Sequence, residues 1–202
     1  MYIARILYPI KVLGPGKRIG IWFDGCEHHC KGCSNPELWD KKSEYEINID
    51  QIMYLIESIL TNNKVDGFTI TGGDPFFQPD DLYELLKNIH EISTDILVYT
   101  GYQYIELKKK YEHILKLISV LIDGKYVEQL NNYEMLKGST NQSIIYLDGY
   151  YKDIYENYIR SQSERIQNFN TQSGTISVGI HKPGFYKELN DLLIRKGLIN
   201  NE

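Results

Sequence analysis

Three cysteines lie within eight residues of one another, at Cys26, Cys30 and Cys33, and form a C-x3-C-x2-C pattern. Thiolates this close repel one another unless a metal compensates their charge, and soft sulfur ligands select zinc, copper(I) or an iron–sulfur cluster. A structural zinc site usually adds a second Cys/His pair well away in the sequence, but the three histidines outside the cysteine loop are each isolated. A cubane cluster held by three cysteines leaves one iron without a protein ligand, which is a vacancy for chemistry. The spacing therefore favours a cluster, with zinc as the second interpretation and inert thiols as the third.

The composition indicates a single globular domain over residues 1–202. The chain is 42% hydrophobic and 24% charged, close to the averages of globular proteins. Its 22 Lys and Arg against 27 Asp and Glu give a net charge of -5, and no basic run is longer than Lys108 to Lys110, so we expect no nucleic-acid partner. No stretch approaches the roughly 18 apolar residues of a membrane span, so we expect no membrane partner. The N-terminus lacks a targeting pattern and the cysteines do not suit a disulfide framework, so we expect a cytoplasmic protein.

Strand and helix patterns alternate along the chain. Short apolar runs predict six strands, over 19–23, 65–70, 95–100, 117–122, 143–147 and 175–180. Apolar residues at helical spacing predict four helices, over 52–60, 79–89, 104–114 and 185–196, and a polar stretch over 151–169 could also be helical. Strands separated by helices imply right-handed crossovers and a mostly parallel sheet, hence an α/β fold.

The residues best suited to chemistry follow these predicted strands directly. Cys26 comes after the first strand, Thr71 to Gly73 after the second, Thr100 after the third and Asp123 after the fourth. In α/β folds the chemistry gathers at the carboxyl ends of the strands, because these ends meet at one edge of the sheet. The sequence therefore predicts one site at this edge.

The cysteine pattern, taken together with Thr71-Gly72-Gly73-Asp74-Pro75, resembles the radical S-adenosylmethionine (SAM) superfamily and its Gly-Gly-Glu-Pro motif. The resemblance implies a partial (β/α)6 barrel in which the three cysteines hold a [4Fe-4S] cluster with one open iron site for SAM. An electron delivered to the cluster would then split SAM and give a 5′-deoxyadenosyl radical. The chain departs from the superfamily in two places. Gly32 stands where an aromatic residue often meets the adenine, and Asp74 stands where Glu is commoner.

Four segments resemble, more narrowly, the activating proteins of anaerobic (class III) ribonucleotide reductase. They are 14–18, 25–39 with its Cys-x-Asn-Pro-Glu-x-Trp pattern, 99–102 with 106–107, and 121–126 followed by 136–142 with its Gly-Ser-x-Asn-Gln pattern. Together they cover roughly residues 1–148. Members of this family abstract a hydrogen atom from a glycine of the reductase and leave a glycyl radical. The resemblance implies the reductase as a partner, together with a low-potential electron donor such as flavodoxin or ferredoxin.

The resemblance also implies roles for individual residues. Cys26, Cys30 and Cys33 would act through the cluster that they bind. The residues implied to bind SAM or to lie beside the cluster are Asn35, Thr71, Gly72, Gly73, Asp74, Thr100, the Asp-x-Lys pair Asp123 and Lys125, and His181 at the end of the last predicted strand.

Residues 149–202 lie beyond the resemblance, and we expect them to complete the barrel with another strand and helix or to alter the partner. Two alternatives stay open. A radical SAM enzyme could act instead on a small molecule, as 7-carboxy-7-deazaguanine synthase does, or on a peptide. A zinc-stabilised binding module would be no enzyme at all, and it would contain zinc without iron or sulfide.

Overall fold

The computed structural model describes residues 1–171 and 174–197, and eight strands lie in these residues. Six of them form one sheet: β1 (Ile3–Ile10), β2 (Arg18–Phe23), β3 (Gly67–Gly72), β4 (Ile96–Tyr99), β5 (Val120–Asp123) and β6 (Ser143–Tyr146). The other two, β7 (Ile166–Thr171) and β8 (Gly174–Gly179), pair with each other in an antiparallel two-stranded sheet.

Helices connect the strands of the large sheet and flank the small one. They are α1 (Ile49–Leu60), α2 (Pro79–His90), α3 (Tyr104–Lys110), α4 (Glu112–Leu115), α5 (Lys152–Ser161) and α6 (Phe185–Arg195). Helix α1 begins with a capping box, in which the Asn48 side chain accepts from the Gln51 backbone N–H and the Gln51 side chain accepts from that of Asn48. Helix α2 begins at a proline followed by two acidic residues, which suits the positive end of the helix dipole.

The strand order in the large sheet follows the chain from β1 to β6. The four central strands β2 to β5 are parallel, whereas β1 and β6 are antiparallel edge strands. The register places Phe23 opposite Gly72 and Ile70 opposite Val98, so β2, β3 and β4 end at the same edge. The structure confirms the predicted α/β class with a mostly parallel sheet.

Helices α1 to α4 cover one face of the sheet. Successive side chains of a strand point to opposite faces, and Ile21, Ile70 and Val98 point towards these helices. They pack there against apolar helix residues such as Ile56 and Leu85, which are fully buried. The helical spacing in the sequence indicated this apolar face of each helix.

The opposite face is covered by the chain after β6. Trp22 of β2 packs in one cluster with Val178 of β8, while Leu97 and Ile122 pack in another cluster with Tyr155 of α5. Helix α5 and strand β8 therefore bury apolar surface that the sheet would otherwise expose on this face.

A buried ion pair ties α5 to this face. The Arg18 guanidinium is fully buried and donates to the Asp95 carboxylate at 2.8 Å and to the Thr69 hydroxyl at 2.8 Å. The Tyr155 hydroxyl donates to the other Asp95 oxygen at 2.7 Å. Burial raises the pKa of Tyr155 well above its ordinary value, so the phenol stays protonated and can donate.

The structure differs from the predicted elements in four places. Strand β1 was not predicted, because most of its side chains are half-buried on both faces and show little alternation. The helix predicted over 104–114 is two helices, since Tyr111 leaves the helical region with φ of -133°. Only the first part of the polar stretch over 151–169 is helical, and its end belongs to β7. Strand β8 pairs with β7 and does not extend the large sheet.

Among the residues that the structure describes, no helix is both long enough and apolar enough to cross a lipid bilayer.

The buried ion pair makes a testable prediction about stability. Asp95→Ala would leave a fully buried guanidinium without its carboxylate, and we expect the free energy of unfolding to fall by about 3–5 kcal/mol in urea denaturation. Lys64→Ala is the control, because it removes a lysine whose side chain is 84% exposed from an ion pair with Asp66. We expect little change there, and a similar loss in both variants would contradict the role given to the buried pair.

Candidate functional site

A cavity of about 1050 Å³, counted with the solvent-filled space at its mouth, lies at the carboxyl edge of the parallel strands. Ten of the twelve predicted site residues line it: Cys26, Cys30, Cys33, Asn35, Thr71, Gly72, Gly73, Asp74, Thr100 and His181. The predicted edge of the sheet is therefore where the structure gathers these residues.

Backbone hydrogen bonds fix the start of the cysteine loop. The Gly25 N–H donates to the Leu38 carbonyl at 2.9 Å, and the Cys26 N–H donates to the Trp39 carbonyl at 2.8 Å. These two bonds join the start of the loop to the short helical turn Pro36–Leu38, so that the loop leaves β2 and returns beside it.

Two of the thiols are held in surroundings that favour their neutral form. Burial raises the pKa of Cys26 to about 11 and also raises that of Cys33. Backbone N–H groups act in the opposite direction, with His28 donating to the Cys26 sulfur and Asn35 donating to the Cys33 sulfur, each at 3.4 Å. Donors of this kind suit a thiolate bound to metal, since binding deprotonates the thiol and leaves negative charge on sulfur.

Backbone hydrogen bonds join the Gly72-Gly73-Asp74 segment to the chain that enters the cysteine loop. The Gly73 N–H donates to the Phe23 carbonyl at 2.8 Å, and the Asp74 N–H donates to the Gly25 carbonyl at 2.9 Å. A Cβ at position 72 would lie 2.3 Å from the Phe23 carbonyl oxygen, and one at position 73 would lie 2.3 Å from that of Gly25. Glycine is therefore required at positions 72 and 73, because the backbone of β2 and of the residues directly after it lies too close for a side chain.

The Asp74 carboxylate is buried and is used entirely by the protein. One oxygen accepts from the Phe76 N–H at 2.9 Å, and the other accepts from the Gly101 N–H at 2.7 Å. The Thr100 hydroxyl lies within 3.1 Å of both oxygens, and the His28 imidazole lies 2.9 Å from the second. Asp74 and Thr100 thus contact each other at the cavity wall, which the sequence did not indicate.

Asp123 and Lys125 are not brought into the cavity. The Asp123 carboxylate accepts from the Tyr104 N–H at 2.8 Å and from the Ser143 N–H at 3.3 Å, so it holds the start of α3 and of β6. Lys125 is exposed and lines a separate groove beside α3.

The Gly-Ser-x-Asn-Gln segment holds the loop between β5 and β6. Gln142 donates to the Gly124 carbonyl at 2.8 Å and accepts from the Gly138 N–H at 2.8 Å. Asn141 donates to the Lys125 carbonyl at 2.8 Å, and the Ser139 hydroxyl accepts from the Val127 N–H at 3.1 Å. These bonds place Gly138 and Gln142 at the cavity wall.

Among the buried polar atoms at the cavity wall that have no hydrogen-bond partner in the described residues are the Tyr99 hydroxyl and Nδ1 of His181. The other ring nitrogen of His181 lies 2.9 Å from the Ser177 hydroxyl, and burial lowers the pKa of the imidazole, which favours its neutral form. Burial raises the pKa of Tyr99 well above its ordinary value, so this phenol stays protonated. An unpaired buried polar group calls for a partner outside the protein, such as a ligand or a bound water.

Sequence reasoning missed Tyr99 and Ser177 as cavity residues. Tyr99 ends β4 directly before Thr100, so its position at the strand end was an available signal. Ser177 reaches the cavity from β8, whose placement against the large sheet no local pattern could indicate.

No three His, Cys, Asp or Glu side chains within residues 1–171 and 174–197 converge as the ligand set of a single metal ion. Cysteines that each bind a different iron of a cluster need not converge on one point. The soft donor set of three sulfurs therefore fits an iron–sulfur cluster.

Comparisons with known proteins agree with this chemistry. A family model described as a 4Fe-4S single cluster domain matches residues 12–145. The chain is similar to proteins named anaerobic ribonucleoside-triphosphate reductase-activating protein. The relative from Escherichia coli K12 is 34% identical over 150 residues, with 69% of this chain and 96% of the relative covered. The relative from Enterobacteria phage T4 is 32% identical over 144 residues (68% and 90% covered), and that from Haemophilus influenzae is 36% identical over 147 residues (68% and 93%).

The close approach at Gly72 predicts a specific sensitivity. Gly72 has φ of +118°, and Gly72→Ala would add both backbone strain and a contact with the Phe23 backbone. We expect a loss of about 2–4 kcal/mol in the free energy of unfolding, measured by urea denaturation of the metal-free protein. Gly149→Ala is the matched control, because a Cβ there has no atom within 4 Å. Equal stability of the two variants would refute the packing role of Gly72.

Proposed function

The chain belongs to the family of anaerobic ribonucleoside-triphosphate reductase-activating proteins, and on this premise we propose that it is a radical SAM activase that installs a glycyl radical on the reductase. The observation that carries the proposal is the shared cavity at the sheet edge. It places the three cysteines beside Gly72, Gly73 and Asp74.

Cys26, Cys30 and Cys33 would hold a [4Fe-4S] cluster with one open iron site. The backbone N–H groups of His28 and Asn35 already point at two of the sulfurs, and such donors stabilise the charge of a ligating thiolate. When bound, the cluster would supply an electron to SAM and so produce the 5′-deoxyadenosyl radical that takes a hydrogen atom from glycine.

The cavity wall supports binding of SAM next to the cysteines. Gly72 and Gly73 line it without side chains, and Asn35, Thr71 and Thr100 add polar groups. The Tyr99 hydroxyl and Nδ1 of His181 lack a protein partner, which a bound ligand with several polar groups could supply. Asp74 would contribute by holding the cavity wall in place and not by contacting SAM, because all of its carboxylate bonds go to the protein.

Access to the cavity supports a macromolecular substrate. The cavity is partly open to solvent, so a loop of the reductase that carries the glycine could enter and close it. Closure by the partner would exclude water while the radical exists.

The sheet supports a partial (β/α)6 barrel of the radical SAM type. Its strands follow one another in order, helices α1 to α4 cover one face, and the cavity lies at its carboxyl edge. That residues 1–202 form one domain also stays a proposal, supported by the packing of α5 and β8 on the large sheet.

Four statements from the sequence stay predictions. They are a low-potential electron donor such as flavodoxin or ferredoxin, a cytoplasmic location, and the lack of a nucleic-acid partner and of a membrane partner. The predicted contacts of Asp123 and Lys125 with SAM also stay predictions. Neither residue lines the cavity, so its position does not support such a contact.

The ligand assignment predicts the outcome of a single substitution. Cys30→Ala would remove one of three sulfur ligands, and we expect cluster assembly to be lost after anaerobic reconstitution with iron and sulfide. Iron and sulfide analysis and the absorption spectrum measure this. Ser34→Ala, in the same loop, is the control and should assemble the cluster. A full cubane spectrum in Cys30→Ala, or zinc without iron in the wild type, would contradict the assignment.

The activity is tested by reducing the reconstituted protein and adding SAM. We expect 5′-deoxyadenosine and methionine as products, detected by chromatography. If SAM stays intact in the reduced, cluster-loaded protein, radical cleavage is wrong.

A further inference from the structure

The cysteine loop contacts the rest of the site through His28, which lies between Cys26 and Cys30. The sequence alone predicts an exposed loop residue here, whereas the His28 side chain is buried. The His28 side chain is only 5% exposed, and its Nε2 lies 2.9 Å from a carboxylate oxygen of Asp74, whose side chain is 1% exposed. A buried contact of this kind is unusual for a loop that is otherwise half-exposed.

The surroundings of the imidazole fix its place closely. Its ring packs edge-on against Tyr102, with centroids 4.6 Å apart. A Cβ at Gly101 would lie 2.2 Å from a ring carbon of His28, so the absence of a side chain there admits the imidazole. The Tyr102 hydroxyl donates to Glu27 at 2.7 Å, so two successive residues of the cysteine loop are held by the chain after β4.

One oxygen of Asp74 therefore joins three parts of the site. It accepts from the Gly101 N–H after β4, it belongs to the segment that follows β3, and it faces the imidazole of the cysteine loop. Because a carboxylate can only accept, Nε2 of His28 carries the proton in this contact. Hydrogen bonds to charged groups are stronger than neutral ones, and this one is shielded from water.

We infer that His28 is a positioning residue that locks the cysteine loop onto Asp74, so that the position of the cluster and the shape of the SAM-binding wall are set together. The inference rests on the proposed function for the identity of the ligand. The locking of the loop rests on the geometry alone. His28 acts through Asp74 and the loop, and it takes no part in the bond-breaking steps.

The same substitution at two neighbouring residues, His28 and His29, separates the proposed contact from a general effect on the loop, and His28→Gln tests whether the contact can be restored. His28→Asn is too short to place its amide where Nε2 lies, whereas His28→Gln carries an amide N–H that can reach the Asp74 oxygen. His29→Asn is the control, because His29 is exposed and stacks on Trp39, and asparagine tolerates its φ of 45°. The wild type and all three variants keep the three cysteines.

The first measurement is the concentration of SAM that changes the electron paramagnetic resonance spectrum of the reduced, reconstituted protein. We expect His28→Asn to need a SAM concentration at least about tenfold higher than the wild type, because the variant loses one hydrogen bond to a charged group. We expect His29→Asn to match the wild type and His28→Gln to recover most of the affinity. Equal affinity in His28→Asn and His29→Asn would overturn the inference, as would equal losses in His28→Asn and His28→Gln.

The second measurement is backbone amide hydrogen exchange over residues 26–30 in the metal-free protein, which needs neither cluster nor SAM. We expect faster exchange in His28→Asn than in His29→Asn, with His28→Gln close to the wild type. Unchanged exchange in His28→Asn would overturn the locking of the loop. If the wild type fails to bind SAM while the exchange pattern holds, the proposed function fails and the locking stands.

Discussion

The site depends on one buried carboxylate, that of Asp74. A carboxylate removed from water must be surrounded by donors, and here the donors come from the cysteine loop, from the turn after β3 and from the end of β4. Because the donors belong to different segments, the requirement to satisfy one charge fixes the positions of all of them. The segments that carry the three cysteines and the glycine pair are thereby held at one cavity wall.

The chain after β6 forms part of this site as well as of the fold. The matched family model ends at residue 145, yet Ser177 and His181 line the cavity. Tyr155 completes the bonding of the Asp95 carboxylate beneath the sheet, and the Tyr186 hydroxyl donates to the Ser34 carbonyl in the cysteine loop at 2.9 Å. In this protein the cavity is therefore walled on one side by residues that lie beyond the matched family region.

Much of the fold and the composition of the site could be predicted from local patterns. Helical spacing identified α1 and α2, and the position of Cys26, Gly72 and Thr100 after strands identified the edge where they meet. Long-range pairing could not be predicted, because no local pattern indicates that β8 pairs with β7 or that Asp123 serves the backbone of α3 and β6. His28 was missed for the same reason, since its role depends on Asp74 and Gly101, which lie far away in the sequence.

Transfer of a hydrogen atom from a glycine of the reductase to the 5′-deoxyadenosyl group of SAM is the step on which the proposed function stands. It is tested most directly by incubating the reduced, cluster-loaded protein with SAM and an anaerobic ribonucleotide reductase labelled with deuterated glycine. We expect one deuterium to move to the 5′ carbon of 5′-deoxyadenosine, which mass spectrometry detects as a gain of about one mass unit. Formation of 5′-deoxyadenosine without deuterium in the presence of the labelled reductase would contradict it.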